Sequence, residues 1–133
     1  MALVIDASVL VAWFVPSQAT DYARRVARRV RVEDVVVPAI LEIEFANTML
    51  VLKRRRMLPP HAVESALSRA ARLDFKVDRE PVAPRELYAL GERHGISAYD
   101  AAYLELALRC ALPLATRDTS LARAARSAGV LLN

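Results

Sequence analysis

Four acidic residues, Asp6, Glu44, Asp100 and Asp118, are spread along a chain of 133 residues, and each is set against apolar segments. An unpaired charge beside a core is expensive, so acids in such places take a partner, and a metal ion is one such partner. If the fold gathers all four, each like-charged pair at about 4 Å costs about 4 kcal/mol at an effective dielectric of about 20. A divalent cation reverses that balance. An all-oxygen set with no His or Cys selects hard ions, Mg²⁺ or Mn²⁺, over zinc or copper. Such an ion lowers the pKa of a bound water and offsets charge building on a phosphate, so phosphodiester hydrolysis is the chemistry best suited to the set.

The elements that must position these acids alternate. Short β-branched runs predict strands over Ala2 to Ile5, Asp34 to Val37, Phe75 to Val77, Pro113 to Ala115 and Val130 to Leu132. Between them, Tyr22, Ala23, Val26, Ala27 and Val30 recur on one helical face and turn Arg24, Arg25, Arg28 and Arg29 to the other. Further helices are predicted over Ala39 to Arg55, Pro60 to Arg72, Pro84 to His94, Ala98 to Cys110 and Thr119 to Ala128, bounded by Pro59, Gly95, Pro113 and Gly129. Strands separated by helices imply an α/β fold with a mostly parallel sheet covered on both faces. On this map Asp6 ends the first strand, Asp118 opens the last helix, and Asp100 lies in the first turn of its helix, three residues after Ser97. Helix capping alone would account for those three. The carboxyl ends of parallel strands are also where ligands bind, and one residue can be both cap and ligand.

Glu44 escapes the capping account, because it lies inside a helix among Ile40, Leu41, Thr48 and Val51. Its rival is Glu42, which the helical wheel puts nearer Lys53, where a surface ion pair would explain it. Periodicity leaves the choice between the two glutamates open. Asn47, three residues after Glu44, falls on the same face and is placed to orient it or a water.

Composition narrows the class. A 133-residue chain that is 55% hydrophobic suits one domain, residues 1–133, burying roughly two thirds of its unfolded surface. No apolar run approaches the roughly 20 residues of a membrane helix, and Met1 to Ile5 lacks the basic start of a signal peptide, so a cytoplasmic protein is expected. The single cysteine, Cys110, excludes an internal disulfide and reads as a small core residue. The formal charge is +4. With the four candidate acids set aside, nineteen Lys and Arg face eleven acids, a net +8 and a stronger field for a polyanion. All but two of the basic residues are arginine, which grips phosphate in a bidentate fork.

Taken in order, Val4-Ile5-Asp6-Ala7-Ser8, Pro38 leading to Glu44-Phe45-Ala46-Asn47, Ser97-Ala98-Tyr99-Asp100-Ala101-Ala102-Tyr103, Leu114-Ala115-Thr116-Arg117-Asp118 and Gly129-Val130 resemble a PIN-domain ribonuclease of the VapC toxin type over the whole chain. The resemblance implies a PIN-like three-layer α/β/α sandwich with a central sheet of four to five strands. It implies a Mg²⁺- or Mn²⁺-dependent endoribonuclease, commonly a homodimer and inhibited by a cognate VapB-like antitoxin. It also decides for Glu44 over Glu42. Carried over residue by residue, Asp6 and Asp100 are principal metal ligands, Asp118 completes the site, and Glu44 holds or deprotonates the attacking water. Ser8, Asn47 and Thr116 match positions that hydrogen-bond the acids. The implied products are a 5′-phosphate and a 3′-hydroxyl.

Other signals have ordinary accounts beside functional ones. Lys53-Arg54-Arg55-Arg56 is the sharpest basic cluster and a candidate RNA grip, although a basic helix end also suits the helix dipole. Trp13, Phe14 and Tyr22 are spaced for packing or for receiving an antitoxin segment, and His61 and His94 at helix edges lend little to a paired-histidine mechanism. A haloacid-dehalogenase-type phosphatase wants a second Asp where this chain has Ser8, and the three glycines form no phosphate-cradling loop. The competing class is a non-catalytic PIN-like module that binds RNA or protein.

Overall fold

In a computed structural model describing residues Met1–Asn133, Leu3, Val4 and Ile5 are each 0% exposed. Successive strand residues point to opposite faces, so this strand must be covered on both sides. It is β1 (Ala2–Ile5), and with β2 (Asp34–Pro38), β3 (Phe75–Asp78) and β4 (Leu114–Ala115) it forms a four-stranded sheet. The order is β3-β2-β1-β4, and every pairing is parallel. Seven α-helices surround the sheet: α1 (Ala7–Phe14), α2 (Asp21–Arg29), α3 (Ile40–Arg54), α4 (Pro60–Ala70), α5 (Pro84–His94), α6 (Ala98–Cys110) and α7 (Thr119–Ser127). The layered α/β/α arrangement expected from the alternating pattern is therefore present, with the sheet wholly parallel. No helix is long and apolar enough to cross a membrane.

The strand order has a consequence for function. From β1 the chain moves to β2 and then β3 on one side, and returns to place β4 on the other. Between β1 and β4 the order reverses, leaving a crevice at their carboxyl ends. Asp6 follows β1 directly, and Thr116-Arg117-Asp118 follows β4, so both segments open into that crevice.

Local chemistry sets the helix ends. Asp6, Thr20, Ser97 and Asp118 cap α1, α2, α6 and α7 by accepting from backbone amides in the first turn. Pro60 and Pro84 open α4 and α5, where a missing amide costs nothing. α5 stops at Gly95, whose φ of +65° favours a residue without a Cβ.

Several expectations change. Val130–Leu132 is no strand but a single parallel bridge from Leu131 to Leu114, because its neighbour β4 is only two residues long. Cys110 is exposed, as the last residue of α6 on its outward side. Glu42 pairs at 3.0 Å with Arg79, not Lys53, which is eleven residues, or about 16 Å of helix axis, away. Trp13, Phe14 and Tyr22 are half-buried in packing. Trp13 meets Phe75 edge-on and donates to the Ala23 carbonyl, Phe14 meets Phe45, and Tyr22 donates to the Leu132 carbonyl. These rings are not a free docking surface.

The core is built on β1, α6 and the inward faces of α1, α3 and α7. Leu104 of α6 is 0% exposed within it. Leu104→Ala is expected to lower the unfolding free energy by about 2–5 kcal/mol, read from urea denaturation with an unchanged m-value.

Candidate active site

Asp6 is 4% exposed, one of two buried polar side chains besides the core, the other being Thr116. Its Oδ1 accepts from Ser8 Oγ at 2.6 Å and from the Val9 amide at 3.2 Å, and its Oδ2 accepts from Thr116 Oγ1 at 2.5 Å. A carboxylate offers about four acceptor positions, so one remains, on Oδ2. Asp118 caps α7 through Oδ1, which accepts from the amides of Ser120 at 3.1 Å and Leu121 at 3.2 Å, leaving Oδ2 open. Glu44 Oε1 accepts from the Tyr103 hydroxyl at 2.5 Å, leaving Oε2 open. Asp100 stands in the first turn of α6, and there Ser97, not Asp100, supplies the cap, by accepting from the Asp100 amide at 3.1 Å.

All four acids line one cavity of about 270 Å³ at the crevice between β1 and β4, together with Ser8, Gln18, Thr48 and Tyr103. Burial raises the Asp100 carboxyl to about 6, and the charges of Asp118, Asp6 and Glu44 push the same way. Burial also raises Asp6 above the usual carboxylate range, against the donors Ser8, Thr116 and Val9. The Tyr103 hydroxyl is held well above its ordinary range by burial and by Glu44, so it stays protonated and keeps donating. As they stand, no three Asp, Glu, His or Cys side chains are grouped tightly enough to hold an ion. The acids ring the cavity without closing on one point.

The donor set fits a hard divalent ion. It is all oxygen, each carboxylate keeps an open acceptor position, and a cation relieves both the burial of charge and the neighbouring charges that together lift Asp100.

Other expected residues are distributed differently. Ser8 and Thr116 touch Asp6 directly. Asn47 is exposed and makes no hydrogen bond to Glu44. The cavity lies on the i+4 side of Glu44, where Thr48 stands, and the bond expected from Asn47 comes from Tyr103 on α6. Lys53, Arg54, Arg55 and Arg56 are all exposed at the far end of α3, starting nine residues or about 14 Å beyond Glu44. Tyr103 has no evident role in the sequence, because a buried aromatic in an apolar helix reads as core. Its place three residues after Asp100, on the same face of α6, is the signal that finds it.

A family model for the PIN domain matches residues 3–127. The chain belongs to the PIN-domain family. Ribonuclease VapC3 of Pyrobaculum aerophilum is 30% identical to it over 124 residues, covering 92% of this chain and 93% of that protein, so this PIN domain is of the VapC type. Among solved structures, PAE2754 of Pyrobaculum aerophilum superposes with a TM-score of 0.66 at 23% identity, over 93% of this chain and 79% of that one. FitAcB of Neisseria gonorrhoeae gives 0.63 at 22% identity, over 93% of each chain. A toxin–antitoxin complex from Klebsiella pneumoniae gives 0.58 at 20% identity, over 88% of this chain and 87% of that one. These structures share the fold of the PIN domain.

The acid cluster makes stability depend on pH. Between pH 3.8 and about 6 the folded PIN domain holds a proton on Asp100 that the unfolded chain has released. Its folded pKa is raised, so stability in EDTA falls as pH rises through that window and levels off above it. Urea unfolding across the window checks this, and Asp100→Asn is expected to flatten the decline.

Proposed function

We propose that this PIN domain, residues 1–133, is a metal-dependent endoribonuclease of the toxin kind. One observation carries the reading: four carboxylates line one cavity, each fixed by its backbone position or by a hydrogen bond at one oxygen, and each with an acceptor position open. Kinship with a protein named ribonuclease VapC3 supports RNA as the substrate. Asp6, Asp100 and Asp118 would hold Mg²⁺ or Mn²⁺, with Glu44 beside them. When bound, such an ion offsets the charge that develops on the phosphate and lowers the pKa of the attacking water.

The chain's own groups do the rest. Asp6 presents its one open position from a carboxylate that three donors prevent from turning. Glu44, steadied by Tyr103 at Oε1, takes the proton of the attacking water on Oε2. Water attacks phosphorus, the P–O3′ bond breaks and the leaving 3′-oxygen takes a proton from solvent water, so the products carry a 5′-phosphate and a 3′-hydroxyl, and the RNA 2′-oxygen takes no part. Lys53, Arg54, Arg55 and Arg56 hold flanking phosphates. The inhibiting partner is a VapB-like antitoxin, a reading that the toxin–antitoxin complex with this fold supports. An arginine of such a partner would suit the acidic cavity. The working form is a homodimer.

Cleavage of RNA by purified protein with Mn²⁺, and its arrest by EDTA, is the direct test. Asp6→Asn and Asp100→Asn are expected to abolish it, and Glu44→Gln to slow it by about 10²–10⁴-fold. Wild type that is as inert as the variants while still binding RNA would make the chain a binding module, and 2′,3′-cyclic phosphate ends would overturn the mechanism.

A further inference from the structure

The groups that hold Asp6 are themselves held, and the outer donors come from one short segment after β4. The Asp118 amide donates to Thr116 Oγ1 at 3.0 Å, and that hydroxyl donates to Asp6 Oδ2. The Arg117 amide donates to Ser8 Oγ at 2.9 Å, and that hydroxyl donates to Asp6 Oδ1 at 2.6 Å. A hydroxyl has one proton to give, so an amide occupying its lone pair settles where the proton points. Two successive amides thus orient two hydroxyls onto the two oxygens of one carboxylate. Arg117 adds a further contact, because its Nη1 donates to the Ser8 carbonyl at 3.1 Å.

We propose that Arg117 is a positioning residue for Asp6, acting through Ser8; the proposal rests on the nuclease reading of the cavity. Helix stability does not explain the contact. Ser8 lies in the first turn of α1, the positive end of the helix dipole, where a cation is unfavourable. Ion pairing does not explain it either, since Arg117 takes part in none of the salt bridges. Its Nε is buried without a hydrogen-bond partner, a desolvation cost that an arginine free to extend into water would not bear. What the guanidinium does achieve is to lock the backbone of Ser8 against the segment that carries Thr116 and Asp118. Ser8 then keeps its grip on Oδ1, and the one open position of Asp6 stays aimed into the cavity. A misplacement of about 1 Å at such a group costs about 100-fold in rate.

The test is a double-mutant cycle on Arg117→Ala and Ser8→Ala, read by Mn²⁺ calorimetry and by kcat and KM for RNA cleavage, with melting temperatures alongside. Arg117→Ala is expected to weaken Mn²⁺ binding and lower kcat by about 10–100-fold, with KM within about twofold. The double variant is expected to be no worse than the poorer single one, because both act on one contact. Arg117→Lys, whose Nζ can still donate to the Ser8 carbonyl, is expected to recover part of the loss, and Arg117→Gln serves in the cycle if the alanine variant does not fold. Additive losses, or wild-type Mn²⁺ affinity and kcat in Arg117→Ala, would overturn the proposal. Wild type that binds Mn²⁺ but cleaves no RNA would sink the nuclease reading alone, with the Mn²⁺ cycle still deciding the role of Arg117. Wild type that binds no Mn²⁺ would sink both.

Discussion

Repulsion among four carboxylates that line one cavity is the constraint around which the rest of this molecule is arranged. One like-charged pair at about 4 Å costs about 4 kcal/mol at an effective dielectric of about 20. Three of the four acids stand at helix N-termini: Asp6 and Asp118 cap α1 and α7, and Asp100 lies in the first turn of α6. A helix end returns only about 0.3–1 kcal/mol to an anion at the surface, and up to about 2 kcal/mol when partly buried. The dipoles therefore soften the repulsion without cancelling it, and what remains adds to burial, the larger cause, in lifting the Asp100 carboxyl to about 6. Glu44 has no helix end to help it and relies on the hydroxyl of Tyr103.

Holding such groups near one another requires a frame that does not yield. The strand order brings the ends of β1 and β4 side by side, so Asp6 and Asp118 lie just beyond adjacent strands, each fixed as the cap of the helix that follows. α6 packs across the sheet with Leu104, Leu106 and Ala107 buried, and the same helix carries Asp100 and Tyr103. Burying Tyr103 to 1% exposure thus serves core packing and the orientation of Glu44 at once. A side chain with both duties has few acceptable replacements, since Phe would fill the space and leave the carboxylate unsupported.

The alternating elements were legible because strands with both faces buried read as apolar runs, and amphipathic helices such as α2 show their period. α1 was not, for a physical reason: Val9, Leu10, Val11 and Ala12 are all buried, so no polar face reveals a helical period. The acids could be read from the sequence because a carboxylate in an apolar setting contradicts its surroundings. The bonds of Tyr103 to Glu44, fifty-nine residues away, and of Arg117 to Ser8, 109 residues away, are harder to read, because only the fold brings those partners together. Asn47 shows the converse error. Sharing a helical face with Glu44 suggests proximity, but the cavity lies towards Thr48, and one residue of helical rotation separates lining from exposure.

The separation between the acidic cavity and the basic end of α3 limits what each can do for the other. Lys53 to Arg56 begin about 14 Å beyond Glu44, while charges at physiological ionic strength are screened over about 8 Å. Those cations therefore do little to relieve the carboxylates, and the carboxylates do little to weaken the cations. A phosphate approaching the cavity alone meets net negative charge, whereas one approaching the far end of α3 meets four exposed positive groups. On the proposed reading, a polyanion is gathered at the periphery and admitted to the cavity only when a divalent ion has reversed the sign of the field there. Substrate access and catalytic competence then share one switch, the charge of the cavity, and a single phosphate group is a poor substitute for a chain long enough to touch both regions.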